Sequence, residues 1–112
     1  MKNTRKPDYS SIDVLGSEWR LQFAKGQPLD EDEDGLADDE TRTITIDAGL
    51  EGERRKRVIR HEVVHAYLAE SGLDTSSLQP EGGWAMNEEM VDWFARQGPK
   101  IYKTWKKLGV VP

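Results

Sequence analysis

The sequence predicts an α+β domain: a small antiparallel or mixed sheet packed on one long helix, followed by one or two C-terminal helices. Three observations predict it. Apolar residues alternate at period two in 11–25 and again in 41–47, the pattern of half-buried strands. Residues 53–71 carry apolar side chains around much of a helical circumference, as a largely buried helix does. Residues 87–108 return to helical spacing. The chain has 112 residues and no cysteine, which is enough for one core and too short for two.

Taken in order, residues 1–10 (MKNTRKPDYS) are polar and basic and are expected to form a flexible N-terminal arm. The domain proper is then 11–112. Within 11–25, Ile12, Val14, Trp19, Leu21 and Phe23 alternate around Gly16-Ser17. That predicts one strand, or two strands joined by a tight turn at Gly16-Ser17. Residues 26–40 (GQPLDEDEDGLADDE) read as a solvated acidic loop. Its Asp30, Asp32, Asp34 and Gly35 mimic the start of a calcium loop, but Thr41 stands where the bidentate Glu belongs. Residues 41–47 (TRTITID) predict a strand, either an ordinary member of the sheet or an edge to which an extended peptide can add.

After a turn at 48–52, the helix 53–71 is expected to stop at Gly72. Its basic start, Arg54, Arg55, Lys56, Arg57 and Arg60, opposes the helix dipole. These cations read as a solvated face, or as a group that attracts an anionic partner or the acidic loop. Residues 74–86 form a connecting loop that could border a cleft. Asn87 is a natural N-cap for a helix over 87–97, which Gly98-Pro99 is expected to break. A further helix then runs to Gly109, with Ile101, Trp105 and Leu108 expected in the core.

With 16 basic and 21 acidic side chains, the net charge of −5 argues against a nucleic-acid partner. No apolar run is long enough to span a bilayer, and the N-terminus has no apolar signal core. The expectations are therefore no membrane partner and a cytoplasmic location, with the oligomeric state open. Without cysteine, thiolate metal sites are excluded.

The chemistry is concentrated in His61-Glu62-Val63-Val64-His65. Positions i and i+4 lie on one helix face, so both imidazoles can share one metal ion. Glu62 beside them is placed as the general base of a zinc hydrolase. Both histidines of the chain are in this run, and chance produces such an arrangement on the order of 1 time in 600, although short motifs do give false positives. A catalytic zinc usually takes three protein ligands. The metzincin extension is excluded by Leu68 and Ser71. The remaining candidates are Glu88 and Glu89. Asp92 is four residues from Glu88 and shares its face, where it can accept a hydrogen bond from the far nitrogen of a ligand histidine. That favours Glu88 as the ligand, with Glu89 as the alternative.

The run VIRHEVVHAYLAESGL followed by NEEMVDWFA resembles the small phage and prophage relatives of the ImmA/IrrE-type metallo-endopeptidases, and the minigluzincins, over roughly residues 11–108. The resemblance implies a zincin-like domain with Zn2+ on His61, His65 and a downstream Glu, and with Glu62 as base. It also implies hydrolysis of a peptide or protein substrate in the host cytoplasm, in some members a regulatory protein. Larger Glu-zincins stabilise the oxyanion with an additional His or Tyr. This chain has no third His, which leaves Tyr67, Tyr102, Tyr9, an Arg or the zinc alone. The rival expectation is a catalytically weak zincin-fold module that binds a partner through loop 30–40 and exposed tryptophans, Trp19 and Trp84.

Overall fold

The computed structural model describes residues 9–73 and 87–112. It is α+β, with one mixed four-stranded sheet and two helices. The expected arm falls almost wholly outside the described residues, as do the loop 74–86 and Trp84.

Strands β1 (Ser10–Val14) and β2 (Ser17–Ala24) form an antiparallel hairpin. Its turn is Leu15-Gly16 rather than Gly16-Ser17, because Ser17 already pairs with Val14. Both turn residues have positive φ, 52° and 91°, as the hairpin turn that matches strand twist requires. Strand β3 (Gly35–Asp38) lies within the acidic stretch read as loop. It pairs antiparallel with β4 (Thr43–Asp47), which pairs in parallel with β2. The order is β1-β2-β4-β3. β4 is therefore interior, and among the described residues β3 is the outer strand on that side.

Val14, Trp19, Ile44, Ile46 and Ala66 make the buried cluster, with Val58, Ile59 and Val63 packed against it. Trp19, expected among exposed tryptophans, is fully buried. Its indole Nε1 donates to Glu70 at 2.8 Å, the partner that a buried tryptophan needs. Thr45 is also buried, and its hydroxyl accepts from Gln22 at 3.0 Å.

Helix α1 (Gly52–Glu70) crosses the sheet and ends as expected. Gly72 has φ 76°, and the amides of Gly72 and Leu73 bond back to Ala69 and Leu68, closing the helix in a Schellman motif. Glu70 in its last turn accepts from Ser17, Trp19 and Arg42. Those three hydrogen bonds, led by that of Arg42, hold its carboxyl below the ordinary value.

Helix α2 is continuous from Glu88 to Lys107; Gly98-Pro99 does not break it. The reason lies in α1. Pro99 has no N–H, so the Ala95 carbonyl four residues earlier loses its helical donor. Arg60 Nε donates to that carbonyl instead, at 2.6 Å. Asn87 caps the helix, accepting from the Met90 amide at 2.8 Å. Ile101, Trp105 and Leu108 are not core. Ile101 is half-buried, and Trp105 and Leu108 are exposed, because α2 packs on α1 through Val91 and Ala95 on a different face.

Candidate metal centre

Midway along α1, His61 and His65 stand one turn apart with ring centroids 5.0 Å from each other. The first turn of α2 brings Glu88 to them. Its Oε1 lies 2.9 Å from His61 Nε2 and 3.0 Å from His65 Nε2. Burial works against the charge on Glu88, but the hydrogen bonds and charge of His65 and then His61 outweigh it and hold the carboxyl below its ordinary value. Asp92 Oδ1 lies 3.5 Å from His61 Nδ1, on the far side of that ring. Its carboxyl is held low, chiefly by the Arg96 hydrogen bond. Glu89, one residue on, is exposed and does not join the cluster.

Two imidazole nitrogens and one carboxylate oxygen suit a divalent ion of borderline softness. Around a tetrahedral zinc with bonds near 2.1 Å, donors stand roughly 3.4 Å apart. The observed spacings of 2.9 and 3.0 Å need to open by about 0.4–0.5 Å. His61, His65 and Glu88 fit such an ion, and no cysteine or third histidine competes for the position.

Glu62 is only 7% exposed. Burial pushes its carboxyl up to about 7; His65 opposes the shift, and the charges of Glu88 and Glu33 add to it. β3 presses directly on this side chain. A Cβ on residue 35 would lie 3.0 Å from both Glu62 Cγ and Val58 Cγ1, and 3.1 Å from Glu62 Oε2. A larger residue there would need Glu62 or Val58 to give by a few tenths of an ångström. Gly35 is thus part of the site, and a lone glycine in an acidic run was its only local signal.

Together these residues border a cleft of about 490 Å³, with Gly35, Leu36 and Ala37 of β3 along one side and the His–Glu cluster along the other. The edge next to the cluster is β3, so of the two readings of 41–47 the ordinary sheet member holds and the peptide-binding edge does not. Of the basic cluster at the start of α1, Arg54 pairs with Asp34 at 2.8 Å, Arg55 stacks on Phe23, and Arg60 bonds Ala95 and Glu53. Arg57 alone of the cluster lines the cleft. None of Tyr9, Tyr67 and Tyr102 does.

No known protein family model, curated protein or solved structure matches this chain.

Proposed function

We propose that this chain is a zinc-dependent metallopeptidase of the Glu-zincin type, built on a zincin-like arrangement. The observation that carries the reading is the convergence of His61, His65 and Glu88 with the buried Glu62 on one cleft edged by β3. A zinc ion held there would supply a Lewis acid that acidifies water and polarises a carbonyl. His61, His65 and Glu88 would hold the ion, and Asp92 would fix the His61 ring through Nδ1. Glu62 would take a proton from water and return it to the leaving amine. A dication beside Glu62 favours its carboxylate form, which offsets the burial that raises its pKa. β3 would pair with an extended peptide along the cleft. Arg57 would offer its guanidinium to the developing oxyanion.

The test is metal content and peptidase activity of untagged wild type, Glu88→Ala, Glu89→Ala and Glu62→Gln. One zinc per chain is expected in wild type, Glu89→Ala and Glu62→Gln but not in Glu88→Ala, with turnover lost in Glu62→Gln. Failure of wild type to take up zinc at neutral pH would remove the proposal's chemistry. Zinc uptake with full activity in Glu62→Gln would leave the site and overturn the mechanism.

A further inference from the structure

We propose that the exposed face of α2 docks on an anionic lipid bilayer. This inference is independent of the metal centre. Trp93, Phe94, Tyr102, Trp105 and Leu108 are 44–67% exposed, although sequence periodicity placed part of this face in the core. At about 100° per residue, Trp93, Leu108, Ile101, Phe94 and Trp105 fall within roughly 120° of one another, on an arc apart from Val91 and Ala95. This stripe runs the length of the helix. An apolar surface of that extent, rimmed by polar residues, marks an interaction site.

The charges specify the partner. Residues 93–112 contain Arg96, Lys100, Lys103, Lys106 and Lys107 and no acidic residue. The other 92 residues hold 21 acidic against 11 basic side chains. On the helix wheel the five cations lie on one flank of the stripe, with Lys100 next to Trp93 and Arg96 also paired to Asp92. That arrangement is the one adopted by helices lying in a membrane interface: aliphatic and aromatic residues inward, and lysines at the margin reaching headgroups. Trp and Tyr suit a boundary that is apolar on one side and wet on the other.

A second copy would cover the stripe, but its matching segment, residues 93–112, carries no acidic residue to answer the lysines beside it. Nucleic acid fits poorly, because Ile101 and Leu108 offer nothing to phosphates or base edges. The expectation of no membrane partner rested on the lack of a spanning run. Among the described residues no helix is long and apolar enough to cross a bilayer, but a helix lying on the surface needs no such length.

The experiment is co-sedimentation of the full chain with vesicles of phosphatidylcholine alone, or with one third phosphatidylglycerol, at low and at physiological salt. Tryptophan emission and analytical ultracentrifugation accompany it. Binding is expected only to the anionic vesicles, with a blue-shifted emission and a fall on adding salt. Lys103→Gln and Lys106→Gln should each weaken it about fivefold. Trp105→Ser with Leu108→Ser, at exposed positions the fold does not need, should abolish it while circular dichroism stays native. Three outcomes overturn the proposal: no binding to anionic vesicles at low salt, binding unaffected by the double serine variant, or a dimer that the serine variant dissociates without any vesicle binding.

Discussion

Arg60 and Pro99 make one prediction that can be worked from distances. Arg60→Met keeps the aliphatic stem but removes every donor. The Ala95 carbonyl, part-buried and now bonded at 2.6 Å, would be left with nothing, because Pro99 supplies no amide. Losing a charged donor from a buried carbonyl costs about 1.5–3 kcal/mol. The accompanying loss of the Arg60–Glu53 pair adds little, since Glu53 is 71% exposed and such surface pairs contribute about 0–1 kcal/mol. Pro99→Ala restores an N–H that can reach Ala95. In that background Arg60→Met should cost about 1 kcal/mol or less, so the coupling energy is expected at about 1–2 kcal/mol. Urea denaturation of the four metal-free proteins measures it, provided that the m-value stays constant. If Arg60→Met costs the same with and without Pro99, the guanidinium is not the substitute donor, and this account of the unbroken helix is wrong.

Three further outcomes follow from the site. Glu62→Gln should stabilise the metal-free protein at pH 8 by roughly 3 kcal/mol and have little effect near pH 4; urea titrations across that range check it. The sign follows from a pKa raised by burial to about 7: the folded state binds the extra proton, so stability is lost as pH rises from the ordinary value through 7. Glu88, held low, works the other way, losing its contribution as pH falls through its depressed pKa. Gly35→Ala should cost about 1–3 kcal/mol by overpacking, visible in thermal melts, with part recovered when Val58→Ala removes one of the two crowded carbons. In a preparation that turns over peptide, Arg57→Met should lower kcat on the order of 100-fold with zinc content unchanged, and an unchanged kcat would remove it from the site.

The parts legible in the sequence are those whose signals are local. The His61–His65 spacing, the Asn87 cap, the Gly72 stop and the β propensity of 41–47 each act within a few residues and are present in the fold, although Thr45 is buried along with Ile44 and Ile46. The four-residue step from Glu88 to Asp92 belongs with them, since it puts both carboxylates near His61. What escaped is non-local. β3 is four residues long in an acidic run, and only pairing with β4 makes it a strand. Pro99 reads as a helix breaker until Arg60, 39 positions earlier, supplies the missing donor. Trp19 and Trp105 look alike along the chain, yet one is buried against Glu70 and the other lies on a face that α1 does not cover.

The donors of the metal centre are divided between two unequally anchored helices. α1 is tied to the sheet at both ends, through Arg54–Asp34 and through Glu70 with Ser17, Trp19 and Arg42. α2 rests on α1 rather than on the sheet. An ion held by His61, His65 and Glu88 would act as a clasp between an inner body and an outer arm. Its binding free energy, RT ln(1 + [L]/Kd), would go mainly into closing that arm and little into the sheet. Metal supply would then set how firmly the aromatic helix is held, linking occupancy at one end of α2 to what its far end can touch.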